Sequence, residues 1–243
     1  MAKIPDKPED IFEELTADYR RVFGAGLVSI TLYGSGAGGA YVAGKSDLNF
    51  LIVVKDEAMN LLPRTLDIVA KWKKRRVAVP HIMTRKYILS SLDVYPIEFL
   101  NMQLQHVLVY GEDVLGDLSF KGEYLRLQLE REFKGKLLHL RQGFLETEGK
   151  DKAIRNLVRA SLTAFLSAFK ALLRLKDLDI PRDRALLIAA VEEAYGINRE
   201  VFAKCLDIRE GRDSLSKSEI AATFMAYVGE IARLCDEIDE IKI

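Results

Sequence analysis

The amino-acid sequence predicts an α+β protein, with a strand-bearing domain over residues 1–117 followed by an all-α helical bundle over residues 118–243. Two observations carry that prediction. Between Leu27 and Leu100, short apolar and β-branched runs alternate with helix-compatible stretches, punctuated by glycine and proline. After the segment GEDVLGD at 111–117 the apolar residues recur almost continuously at helical spacing. A chain of 243 residues suits one large domain or two small ones, and with 49% hydrophobic residues it can bury a sizeable core.

In the first half, Asp10 or its neighbours cap a helix running to about Arg21, with Ile11, Leu15 and Tyr19 on one face, and Gly24 and Gly26 end it. Leu27 to Tyr33 reads as a strand, followed by the glycine-rich GSGAGGA. Leu48 to Val54 (LNFLIVV) reads as a second strand, buried on both faces. A helix is expected from about Leu61 to Arg75 and a third strand over Val77 to Met83. Tyr87 to Ser91 is too short to assign. Tyr95 to Leu100 is expected to be a strand, with Pro96 at its start or on an edge. Residues 103–110 (QLQHVLVY) fit helix or strand.

In the second half, residues 123–146 form one helix candidate, weakened by Gly135 and Gly143. Residues 152–176 form another, lined by Ile154, Val158, Leu162, Phe165, Phe169 and Leu172. Pro181 suits the first turn of a third that ends near Tyr195, with Gly196 as its stop. Asn198 to Leu206 is a short fourth. Ser216 and Glu219 match a capping box opening the last helix. That helix sets Ile220, Phe224, Tyr227, Ile231, Leu234, Ile238 and Ile241 at alternating spacings of four and three. Such a seam needs a second helix against it, from its own bundle or from a homodimer or helical partner docking along Ile220–Ile241.

Charge and composition exclude several classes. Lys plus Arg equals Asp plus Glu at 36 each, which argues against a dedicated nucleic-acid binder. The run Lys71 to Arg76 closes a helix, where cations suit the negative dipole end; the functional alternative is a nucleic-acid contact with Trp72 stacked on a base. Cys205 and Cys235 have no partners at metal spacing and read as thiols in a reducing compartment. The segment MAKIPDKPED lacks the apolar core of a signal peptide, and no apolar run approaches a bilayer span, so a cytoplasmic protein without a membrane partner is expected. His81, His106 and His139 are scattered and read as structural. Arg155 and Arg159, one helical turn apart, read as surface ion pairs or as phosphate contacts.

The segment that carries chemistry starts at Gly34 and Ser35, directly after the first strand. Small residues there let backbone N–H groups approach an anion closely, and a triphosphate is the natural ligand. Asp47 and Asn49 stand at i and i+2 on the next strand, so their side chains share a face, as a magnesium–nucleotide complex requires. Ser46, joined to Asp47, completes the nucleotide-binding candidates.

The stretch GSGAGGAYVAGKSDLNFLIVV resembles the signature of the nucleotidyltransferase superfamily with the DNA polymerase beta-like fold. That signature is Gly-Ser, a short spacer, Asp-x-Asp on the next strand and a third carboxylate on a later strand. The order of halves is similar to members with a C-terminal helical domain, such as kanamycin nucleotidyltransferase and HEPN-type proteins. The resemblance implies a small mixed-sheet nucleotidyltransferase-fold domain. Gly34 and Ser35 would then be the phosphate-loop pair, Asp47 the first metal carboxylate, and Glu98, in YPIEFL, the third. Asn49 departs from the pattern, offering a neutral oxygen where the signature has a carboxylate. The implied reaction moves a nucleoside monophosphate from an NTP to a hydroxyl of a small molecule or a protein, with Mg2+ between carboxylates and triphosphate. The alternative is a catalytically degenerate nucleotide-binding or antitoxin-like interaction protein of the same fold.

Overall fold

The strand from Leu48 onward is too apolar to face water on either side, and the first part of the chain is built to cover it. In a computed structural model describing residues 3–242, α1 (Phe12–Phe23) leads into β1 (Leu27–Tyr33), then β2 (Asn49–Val54) and α2 (Leu66–Lys73). β3 (His81–Thr84), α3 (Arg85–Ser90), α4 (Pro96–Leu104) and β4 (His106–Gly111) follow. The sheet is mixed, in the order β3-β2-β1-β4, with β1 antiparallel to β2 and β4 and β2 parallel to β3. One face packs Leu48, Phe50, Ile52 and Val54 against Leu15, Tyr19 and Phe23 of α1 and Trp72 of α2. The other packs Leu51 and Val53 against Ile88 of α3 and Phe99 and Met102 of α4.

Three expectations for this half are corrected and two open readings are resolved. Tyr95–Leu100 is not a strand: Pro96 is the first residue of α4, a position where its missing N–H costs nothing. Residues 103–110 divide, α4 ending at Leu104 and β4 starting at His106. The helix expected from Leu61 begins within a 3-10 stretch, Asp56–Thr65, in which α-helical geometry would set the Pro63 ring against the carbonyl four residues before it. The third strand is shorter than Val77–Met83, with Val77 making only an isolated bridge to Leu48 and Pro80 interrupting the ladder. Tyr87–Ser91, left unassigned, belongs to α3, which Thr84 caps by accepting from the Tyr87 N–H at 3.1 Å.

Part of the basic run that closes α2 is held by carboxylates of α1. Asp18 of α1, only 5% exposed, accepts from Lys71 Nζ at 2.6 Å and from Trp72 Nε1 at 3.1 Å. Glu14 holds Lys71 from the other side at 2.7 Å and also pairs with Arg75. The Lys71 and Arg75 cations lie 5.0 and 4.6 Å from the Trp72 ring centroid. Trp72 is buried, so the base-stacking role considered for it is excluded.

The chain divides into two compact units, Met1–Phe120 and Lys121–Ile243. The second is helical throughout: α5 (Gly122–Glu146), α6 (Asp151–Leu175), α7 (Arg184–Tyr195), α8 (Arg199–Glu210) and α9 (Lys217–Glu240). Gly143 does not break α5. A Cβ there would stand 2.9 Å from Leu157, so glycine is what allows α6 to approach. Pro181 precedes α7 rather than opening it; Asp183 is the cap, accepting from the Leu186 N–H at 3.0 Å. The Ser216–Glu219 capping box forms as expected.

Phe133, Phe165, Tyr227, Phe202 and Phe169 form a chain of ring contacts at 5.3 to 5.9 Å through the middle of this unit. Ile220, Phe224, Tyr227, Ile231, Leu234 and Ile238 are all buried within it, whereas Ile241, expected to continue the seam, lies past the end of α9 and is half-buried. By length and composition α6 is apolar enough to cross a membrane, contrary to the expectation that no such segment exists, and half of its most apolar window is buried in this unit. Burial raises the Cys205 and Cys235 thiols to about 12 and about 11.

Asp18→Ala leaves the buried Trp72 N–H without its acceptor while Lys71 keeps Glu14, and is expected to cost about 2 kcal/mol in chemical denaturation of the first unit. A loss below about 1 kcal/mol, the range of exposed pairs, would show that the cluster is not a staple.

Candidate functional site

β1 runs out at Tyr33 and turns through a single 3-10 turn, Gly34–Gly36. Gly34 adopts φ +74°, which a side chain would resist. Its N–H donates to the Gln105 carbonyl at 2.9 Å, and its own carbonyl accepts from Ala37 and Gly38 at 3.0 Å each. Gly36 is buried, and a Cβ there would meet Leu48 at 2.9 Å. The turn is thus tied both to the segment before β4 and to the core beneath β2.

Asn49 opens β2 directly opposite Tyr33, and its side chain reaches over the turn: a Cβ at Gly34 would lie 3.7 Å from Asn49 Nδ2. Asp47, two residues earlier, precedes the strand, with buried Leu48 between them pointing the other way. The Asp47 carboxylate is 58% exposed and lies 3.5 Å from Arg76 Nη1, while Arg76 donates to the Gly44 carbonyl at 2.9 and 3.2 Å. Ser46 closes the turn ahead of Asp47. Its Oγ accepts from Val42 N–H at 3.1 Å, and its N–H donates to the Val42 carbonyl at 2.9 Å.

Glu98 is placed differently from expectation. It sits on the first turn of α4, not on a strand, and is exposed while Phe99 and Met102 face the sheet. Among the described residues no three His, Cys, Asp or Glu side chains come together as a metal-binding group. Arg155 and Arg159 also have other work. Arg155 pairs with Asp213 and donates to the Leu215 carbonyl at 2.7 Å, and Arg159 donates to the Ile208 carbonyl at 2.9 Å.

Two groups that the sequence did not single out join the site face. Tyr33 pairs with Asn49 and His81 with Leu51, so all four side chains share one side of the sheet. The Tyr33 and His81 rings stack with centroids 6.1 Å apart. Burial pushes the Tyr33 phenol up to about 12, so it stays a neutral donor. Their spacing of 48 positions, 33 to 81, has no local signal; only the parallel pairing of β2 with β3 brings them together.

A polar latch stands behind the turn. His106 places Nδ1 2.7 Å from the Gln103 carbonyl and Nε2 3.1 Å from both Asp113 oxygens. Asp113 accepts in addition from the Leu115 and Gly116 N–H groups at 3.2 and 3.0 Å. Gln105, which holds Gly34, lies between the latch residues Gln103 and His106.

No family model matches the chain, and no curated protein does. Among solved structures it is similar to a spectinomycin adenyltransferase of Enterococcus faecialis, determined with ATP and spectinomycin. The identity is 13%, the likeness covers 90% of this chain and 99% of that chain, and the TM-score is 0.46.

Partial burial raises the Asp113 carboxyl, but the bonds from His106, Gly116 and Leu115 outweigh it and hold it below its ordinary value of 3.8. A carboxyl lowered by folding contributes stability above its unfolded value and loses it as pH falls through the folded one. The stability gap between the native protein and Asp113→Asn is therefore expected to be full at neutral pH and to shrink below about pH 4. Denaturant titrations of both at several pH values check this; a gap that does not change with pH would contradict it.

Proposed function

We propose that the chain is a nucleotidyltransferase-fold protein that binds a magnesium–nucleoside triphosphate at Gly34–Asn49 and transfers the nucleoside monophosphate to a hydroxyl acceptor, a small molecule or a protein. One observation carries the reading. The Gly34–Gly36 turn is pinned at the end of β1, Asn49 lies over it, and the exposed Asp47 carboxylate stands two residues before Asn49, just ahead of β2.

Asp47 and Asn49 offer two oxygen donors with one negative charge. That set fits a single Mg2+ that keeps water and phosphate oxygens in its shell. Asp47 and Asn49 would hold the ion, which when bound would neutralise phosphate charge and favour attack at phosphorus. The chain's own groups do the rest. The glycine turn brings backbone N–H groups close to the phosphates, with the Ser35 and Ser46 hydroxyls as further donors. Arg76 meets Asp47 at 3.5 Å in an exposed contact, so the carboxylate turns to a new partner at little cost. Glu98, on a helix, has no part in this reading.

A second reading, nucleotide binding without transfer, is favoured by a specific feature. Neutral Asn49 stands in the second carboxylate position, and Glu98, the candidate for the third, lies on α4 rather than on a strand.

Calorimetric titration with Mg–ATP and the other triphosphates tests both. Binding is expected to need Mg2+ and to fall by at least about tenfold in Asp47→Ala, as for loss of a charge-assisted contact. Pyrophosphate release with a panel of hydroxyl acceptors, increased in Asn49→Asp, supports transfer. Binding without release in either form moves the conclusion to the second reading. If no triphosphate binds at all, both fall.

A further inference from the structure

One side of α5 packs against α6 and α9, burying Leu125, Leu129, Phe133, Leu137 and Leu140. The opposite side carries a second pattern. Leu127, Arg131, Lys134, Leu138, Arg141 and Leu145 succeed one another at spacings of four, three, four, three and four, and all six are exposed. At 3.6 residues per turn the three leucines fall on one line, about 27 Å long. They stand 60%, 55% and 78% open to solvent. One exposed leucine is ordinary surface, but three aligned at heptad spacing make a helix-docking seam. The same alternation in α9 is buried from Ile220 to Ile238, whereas the seam of α5 has no cover.

The charges along this line are cations. Glu130 takes Arg126 at 3.2 Å and Lys134 at 2.9 Å, Asp239 of α9 takes Lys134 at 2.7 Å, and Glu132 takes Lys136. Lys134 is thereby matched. Among the described residues no carboxylate stands within salt-bridge distance of Arg131 or Arg141, so the seam keeps a positive excess. A second copy of the chain does not complement it. The antiparallel pairing that sets Leu127 against Leu145 also sets Arg131 against Arg141, and a parallel pairing sets each arginine against itself. Nor does the line suit a lipid surface, which takes a broad apolar face rather than a narrow seam.

We propose that this face of α5 docks an acidic amphipathic helix of another protein. Its apolar residues would cover Leu127, Leu138 and Leu145, and its Asp or Glu side chains would meet Arg131 and Arg141. The leucines supply the buried area, and the arginines select an acidic partner over a basic one.

The probe is a synthetic 21-residue helical peptide with leucines at the seam spacing and glutamates between them, compared by calorimetry on the full chain with a twin carrying lysine for glutamate. The glutamate peptide is expected to bind saturably and the lysine twin not to bind. Leu138→Gln and Arg131→Glu each weaken binding about tenfold or more, as for a central interface contact. Leu186→Gln, at an exposed leucine of α7, leaves it unchanged. The double variant Arg131→Glu, Arg141→Glu binds the lysine twin instead. Leu138 is exposed, so its variant leaves the core of the unit intact. The proposal is overturned if the glutamate peptide does not bind, if both peptides bind alike, or if Leu138→Gln leaves the affinity unchanged. It is equally overturned if Leu138→Gln instead abolishes binding to phosphatidylglycerol vesicles, or dissociates a homodimer seen in sedimentation.

Discussion

Burial of β2 on both faces is the constraint on which the first unit depends. Six consecutive residues, Asn49–Val54, run from the site into the core, and five of them are buried. A strand of that composition forms only if one layer of helix covers each side, and α1 with α2 on one face and α3 with α4 on the other do so. Covering it costs specificity at the helix contacts, and the Asp18–Lys71–Trp72 cluster supplies some of that, fixing α2 against α1 through bonds that only one register satisfies. At its open end the same strand must leave the core, and there Asn49 and Asp47 reach solvent. The position of the site follows from where the hydrophobic pattern stops.

Much of this was legible in the chain. The runs LVSITLY and LNFLIVV are apolar and β-branched, and their bounds matched β1 and β2 within a residue. The helical half was legible because amphipathic period, capping box and glycine stop agree with one another, as at Ser216 and Gly196. What misled was proline. Pro96 fits a strand edge and a helix start equally well, and local sequence does not distinguish them; the spacing of Phe99 and Met102, both turned to the sheet, decides it. Pro63 converted half of a helix to 3-10 geometry for the same local reason.

The site was less legible than the fold. Gly34, Asp47 and Asn49 are close in sequence, so a motif could connect them. Tyr33 and His81 meet only through strand pairing across β2, and sequence spacing carries no information about that. Lys71 to Arg76 shows the reverse case: a conspicuous basic run in which Lys71, Arg75 and Arg76 are engaged by Glu14, Asp18 and Asp47.

The contact between Asp47 and Arg76 is a weak one: the two groups lie 3.5 Å apart and both stand well into solvent, so salt screens it and either side chain can leave it at small cost. Under the proposed reading, an anion arriving without its own positive charge would meet a carboxylate that repels it. One that brings a cation would offer Asp47 a substitute for Arg76 and leave the guanidinium free. The pair would then act as a filter for counter-charged anions rather than as a fixed brace.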